Sequence, residues 1–247
     1  MTRTFSMALA ATAIALTPAC AQSQVDTADR EAIETIVYEY IMANPEIVEE
    51  ALISLGQKRE AEEAELARLA IADNLEALAN NPADYSVGPD DAAVTVVEFF
   101  DYRCGFCKRS AQWATDLPEQ YDNKVRVVFK ELPILSAESE KAALAAIAAG
   151  KQGKYIEMHM GLMELDNGSG FGAEQIDAVA ESVGIDVAKM RADMQSIDVQ
   201  KTVSDSKSLA RTLAITGTPF FVVGTQPVSG ADVAQVEALI EAALAES

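Results

Sequence analysis

Cys104 and Cys107, separated by Gly105 and Phe106, carry the clearest chemistry in this chain. They follow an apolar strand-like run, Val94 to Phe100, and precede a helical one, Lys108 to Leu117, so both thiols fall on one helical turn. Unpaired N–H groups and the macrodipole at a helix start favour an anion, and they lower a thiol from about 8.5 into roughly 3.5–7.5. Cys104 is therefore the expected nucleophile. Cys107, one turn further in, is the expected resolving thiol, which expels a substrate sulfur from a mixed disulfide. The same spacing supplies half of many zinc sites, but zinc wants four ligands, and only Cys20 and His159 remain as further thiol or imidazole. A permanent disulfide here would close a loop of two residues and restrain almost no chain entropy. The favoured reading is a redox pair that needs no metal and no organic cofactor.

Glu98 interrupts the apolar strand that leads to this pair. A carboxyl buried there has a raised pKa and can relay a proton to or from Cys107; the alternative is a solvated strand-edge glutamate. Lys130, on the next β-rich run, is a candidate partner for it. Met158-His159-Met160 with Met163 offers soft donors for copper(I). Met160 and Met163 share a helix face while His159 points elsewhere, which favours core packing by flexible methionines. Trp113 and Tyr121 read as core or helix-end residues.

The chain has 247 residues, 49% of them hydrophobic, enough for one full core and a smaller element. Its 19 basic and 39 acidic side chains give a net charge of −20, which argues against a nucleic-acid partner. The N-terminus reads as an export signal: Arg3, an uncharged run from Met7 to Leu16 too short to span a bilayer, then Ala19-Cys20-Ala21. Cleavage after Ala21 moves the charge to −21 and leaves Cys104 and Cys107 as the only cysteines. The rival is a lipid-modified Cys20, although Thr17 stands where the lipoprotein pattern has an aliphatic residue.

Residues 1–21 are thus a leader and residues 22–82 an N-terminal helical arm. One amphipathic helix carries Ile33, Ile36, Val37, Tyr40 and Ile41; Asn44-Pro45 opens a second with Ile47, Val48, Leu52 and Leu55. The polar run Gln57 to Glu65 reads as a connector, and Leu66, Leu69, Leu75 and Leu78 resume a weaker stripe before Asn80-Asn81-Pro82. From residue 83 onwards Val94 to Phe100, the C-x-x-C helix and Val125 to Lys130 make a βαβ start with a parallel sheet. About four helices follow between Ser136 and Leu213, then strand Phe220 to Val223, a turn from Gly224 to Pro227 and a last helix from Ala231 to Ala245.

This order, with Glu98-Phe99-Phe100-Asp101-Tyr102-Arg103-Cys104 and Thr216-Gly217-Thr218-Pro219, resembles the DsbA-like branch of the thioredoxin fold over residues 83–247. The arm, with Tyr40-Ile41-Met42-Ala43-Asn44-Pro45-Glu46, is similar to the N-terminal segment of suppressor-of-copper-sensitivity (ScsC-type) proteins. The resemblance implies an α/β thioredoxin fold with a helical insertion over about residues 134–215, preceded by the helical arm. It also implies a cis Pro219 opposite Cys104, with the backbone at Thr218 pairing with an extended substrate strand; an ordinary trans proline opening an edge strand is the alternative.

The expected activity is that of an exported, periplasmic thiol–disulfide oxidoreductase acting on unfolded or misfolded cysteine-containing proteins, with a membrane redox partner. Gly105-Phe106 is closer to the Gly-Tyr pair of dimeric isomerases than to the Pro-His of strong oxidases, which favours isomerase or reductase work. The alternatives are a DsbA-like dithiol oxidase, or a copper-binding or copper-tolerance protein that uses the same two thiols. Two short helices cannot bury all the arm's apolar residues against each other, so a homo-oligomer formed through the arm is expected. Residues 26–80 carry four basic and 14 acidic side chains, and such an assembly tightens as salt screens their repulsion.

Overall fold

The computed structural model describes residues 27–168 and 171–246. The expected leader and Cys20 lie outside the described residues. The chain forms two compact units, one ending at Lys58 and the other beginning at Arg59. In the first, α1 (Thr27–Ala43) ends where the Asn44 side chain donates to the Tyr40 carbonyl at 2.8 Å, and Pro45 precedes α2 (Glu46–Asp73). Ile33, Ile36, Val37, Tyr40, Ile41, Ile47, Val48, Leu52 and Leu55 are all exposed. The polar run Gln57–Glu65, read as a connector, is helical throughout as part of α2, and the boundary between the two units falls within it. Its Glu, Ala, Lys and Arg residues are strong helix formers, and a lone Gly56 costs only about 1 kcal/mol against alanine.

The second unit continues with α3 (Leu75–Ala79), β1 (Tyr85–Val87), β2 (Val94–Phe100), α4 (Gly105–Gln120) and β3 (Val125–Glu131). Five helices follow in the segment expected to hold about four: α5 (Ala137–Gly150), α6 (Tyr155–Glu164), α7 (Ala173–Ser182), α8 (Val187–Asp193) and α9 (Ile197–Thr212). The chain then returns to the sheet with β4 (Phe220–Val223) and β5 (Gln226–Ser229) and closes with α10 (Val233–Glu246). The strand order is β1-β3-β2-β4-β5, with β2 and β3 parallel and every other pair antiparallel. The stretch read as a turn to Pro227 is shorter: Gly224, at φ +61°, turns the chain, and Pro227 already pairs with Val222.

Strand side chains alternate between two cores. Val94, Val96 and Phe100 of β2, with Val125, Val127 and Phe129 of β3, face α4 and the helical insertion. Val97, Phe99 and Val128 face the other way, against Ile71, Leu78, Ala210 and Leu213. Helix α5 is rich in alanine because it is buried along most of its length. At its end a Cβ on Gly150 would lie 2.0 Å from the Tyr85 ring, which itself stacks on Tyr155 with centroids 4.2 Å apart. Among the described residues, no helix is long and apolar enough to cross a membrane.

Candidate active site

Cys104 is the N-cap of α4, with φ −75° and ψ 117°, so the helix begins at Gly105, three residues earlier than the apolar pattern suggested. The Cys107 N–H donates to the Cys104 sulfur at 3.5 Å, as expected of an N-cap acceptor. On its other side Cys104 Sγ lies 3.2 Å from the Thr218 carbonyl, to which the thiol form donates. The Thr218–Pro219 peptide bond is cis, Pro219 is buried, and its carbonyl accepts from the Gly230 N–H at 2.9 Å. Cys104, Cys107, Thr218 and Pro219 thus meet where α4 starts and β4 is about to begin. Both cysteines are free thiols.

The two thiols sit in opposite electrostatic situations. Hydrogen bonding from the Cys107 side chain, joined by the Cys107 and Phe106 N–H groups and the Thr218 side chain, outweighs burial and brings Cys104 down to about 5. Cys104 is then a thiolate at neutral pH, although only 7% of it is exposed. Cys107 is fully enclosed; burial, reinforced by its bond to Cys104 and by the charge of Glu98, pushes its pKa far up. One sulfur carries a negative charge at neutral pH, and the other keeps its proton.

Glu98 is 1% exposed, and neither carboxyl oxygen has a hydrogen-bond partner. Burial first, then the Cys104 charge, raises it to about 8. It interacts electrostatically with both thiols, on the sheet face that α4 covers. The proposed Lys130 partner is not there. In the parallel register Glu98 pairs with Phe129, and Lys130 pairs with Phe99, so the two side chains leave opposite faces of the sheet. Lys130 instead forms a buried ion pair with Asp84 and donates to the Ala77 carbonyl.

His159, Met158 and Met163 are buried in the core on the Glu98 face, where His159 packs between Phe100, Phe129 and Tyr155. Burial lowers His159 to about 3, and its Nδ1 lies 3.1 Å from the Tyr102 hydroxyl. Tyr102 and Tyr155 both donate to Glu131, at 3.1 and 3.0 Å. Among the described residues no cluster of three or more His, Cys, Asp or Glu side chains could hold a metal. Trp113 is a packing residue that donates to Glu237 at 2.9 Å, and Tyr121 caps the end of α4.

Sequence reasoning missed two side chains beside the thiols. Lys108, one turn into α4, donates to the Met163 and Leu165 carbonyls at 3.1 and 2.5 Å and so ties the redox helix to the end of α6. Nothing local to Lys108 announces this, because the partners lie more than fifty residues away. Asp101 is fully buried and accepts from the Arg103 N–H at 2.8 Å, while its carbonyl accepts from the Cys104 N–H at 3.0 Å. That is the local turn an aspartate favours just ahead of a helix, and its position supplied the signal.

Residues 95–241 match the DSBA-like thioredoxin domain, and residues 29–62 match the copper resistance protein ScsC N-terminal domain. A thioredoxin-like oxidoreductase from Silicibacter pomeroyi DSS-3 superposes with TM-score 0.64 at 36% identity, covering 68% of this chain and 96% of that one. Proteus mirabilis ScsC, in a transitional conformation, superposes with TM-score 0.64 at 31% identity over 90% of this chain and 100% of that one. Among curated relatives, the Na(+)/H(+) antiporter NhaA 1 of Salinispora arenicola is 29% identical over 165 residues, 66% of this chain; the chain spans about a quarter of the length of that relative, 25%. With more than half of its length matched by one domain family and that fold realised in its sheet and insertion, this chain belongs to the DSBA-like thioredoxin domain family.

Proposed function

We propose that the protein is an exported, periplasmic thiol–disulfide isomerase and reductase that acts on misfolded cysteine-containing proteins as a homo-oligomer. The Cys104 thiolate attacks a substrate disulfide, forming the Cys104–substrate bond and releasing one substrate thiolate. Either a different thiolate of the same substrate attacks the substrate sulfur of that bond, forming a rearranged disulfide and returning the Cys104 thiolate, or Cys107 attacks Cys104 and releases the substrate reduced. In the second case Glu98 accepts the Cys107 proton, and a membrane redox partner must later reduce the Cys104–Cys107 disulfide. Thr218 and Pro219 hold the substrate strand against Cys104.

The observation that carries the isomerase reading is the exposed apolar side chains of α1 and the start of α2, attached to a chain with a redox pair. Exposed apolar stripes of this extent favour a second copy, and several Cys104 sites around one substrate raise the effective thiol concentration for reshuffling. Light scattering on the chain from residue 22 onwards, with refolding of a scrambled disulfide substrate, tests this. An oligomer that reactivates the substrate is expected, as is a monomer that loses this activity once residues 22–65 are deleted. A monomeric full chain at micromolar concentration in moderate salt would overturn it.

The low Cys104 pKa favours a second reading, a DsbA-like dithiol oxidase. A stabilised thiolate favours the reduced pair and makes the disulfide more oxidising. A reduction potential near about −120 mV rather than about −200 mV or below would select it.

A further inference from the structure

The loop between β3 and α5 carries two apolar side chains that the redox chemistry does not use: Ile134, 43% exposed, and Leu135, 54% exposed. Leu132 N–H donates to the Phe100 carbonyl at 2.8 Å, and the next two bonded amides of the loop share one side chain. The Ile134 and Leu135 N–H groups both donate to Asp101 Oδ2, each at 2.9 Å. Asp101 Oδ1 takes the Arg103 N–H, and the Asp101 carbonyl takes the Cys104 N–H. One buried side chain therefore ties the loop to the turn that ends at the nucleophile. The turn alone needs only the bond to Arg103. The second oxygen holds a loop whose aliphatic side chains stay about half exposed.

We propose that Asp101 is a positioning residue for substrate choice: it fixes residues 134–135 as an apolar lip beside Cys104 that favours cysteine-containing segments with aliphatic neighbours. The inference rests on the thiol-exchange reading above. The occupant is an extended stretch of unfolded polypeptide, because only a cysteine-bearing chain brings Cys104 its reaction partner. Unfolded chains also expose the aliphatic residues that folded ones hide. The strongly acidic protein offers such a segment little charge attraction unless it is basic, so an uncharged lip supplies contact energy that does not depend on the segment's sign.

The test uses two peptides of equal length, each with one cysteine in mixed disulfide with glutathione, one flanked by Leu and Ile and the other by Ser and Gly. Reduced full chain is mixed with each, and exchange is followed by stopped flow. The wild type should prefer the aliphatic peptide by about tenfold in kcat/KM, a size typical of one small apolar contact, and the preference should lie in KM. The surface variant Ile134→Ser/Leu135→Ser should bring the ratio close to one. Asp101→Ala should do the same, and Asp101→Asn, which keeps one acceptor oxygen for the loop, should restore part of it. Should Asp101→Ala fail to fold, the loop variant decides. A ratio unchanged in the loop variant, or a wild type that exchanges equally with both peptides, would overturn the lip while leaving the exchange reading standing. Exchange with neither peptide would overturn both.

Discussion

Glu98 on β2 and Lys130 on β3 are charged side chains on adjacent strands, both buried, and they leave the same sheet on opposite faces. On the Lys130 face the charge is met by the Asp84 carboxylate and the Ala77 carbonyl. On the Glu98 face neither oxygen has a partner, and the nearest ionisable groups include the two thiols. A buried charge that serves structure comes with its counter-charge, because desolvation otherwise exceeds any gain. An unpartnered carboxyl kept in the core beside a nucleophile costs stability and points to proton transfer. The Lys130 face is therefore called structural below, and the Glu98 face, which the proposed exchange uses, chemical.

The largest effect expected on the chemical face is total: Cys104→Ala should abolish disulfide exchange in a thiol-exchange assay. Residual turnover by Cys107 alone would break the assignment of roles. On the structural face, Lys130→Met leaves Asp84 buried without its cation and should cost about 3–5 kcal/mol in urea denaturation. Adding Asp84→Leu should recover most of that loss; a double variant no more stable than the single would show that the pair is not what Lys130 contributes.

Glu98→Gln is the mirror image, with little to lose in stability and much in rate. Because burial holds Glu98 near 8 in the folded state, above its ordinary 4.5, its contribution to stability is complete below about 4.5 and is lost as pH rises through about 8. The glutamine variant should therefore be more stable than the wild type at and above pH 8, by about 1–3 kcal/mol. Its release of substrate from the Cys104 mixed disulfide should be slower by about a hundredfold near neutral pH. In the wild type that step should accelerate with pH up to a midpoint at or below about 8, since the mixed disulfide removes the Cys104 charge that helps raise Glu98. A glutamine variant with an unchanged pH profile would erase the contrast between the faces. Smallest of all, Tyr155→Phe removes one of two hydroxyls on Glu131 and should cost about 1–2 kcal/mol without touching exchange.

What could be read in advance follows from where the information resides. Strand β2 was legible to the residue, because Val94 to Phe100 is a local apolar run that stops at the redox motif. Strand β1 was not: Tyr85-Ser86-Val87 becomes a strand only through pairing with Val127 to Phe129. Pro227 suggested a turn, yet it lies on an edge strand, where a missing N–H is tolerated. The thiols and the buried Glu98 were visible from type and spacing. Lys130 does not meet Glu98 because strand parity, not proximity in sequence, decides which face a side chain meets. Asp101 lies within the motif that leads to Cys104, but its second oxygen serves residues more than thirty positions away, which no local pattern records.

The proposed exchange requires an ionised Cys104 beside a Cys107 that keeps its proton. The direct measurement is the ultraviolet thiolate absorbance of the reduced chain as a function of pH, paired with iodoacetamide labelling and mass mapping of the alkylated site. A single transition with a midpoint near 5, and labelling at Cys104 first, is the predicted result. A midpoint near the ordinary thiol range of about 8.5, or first labelling at Cys107, would contradict it.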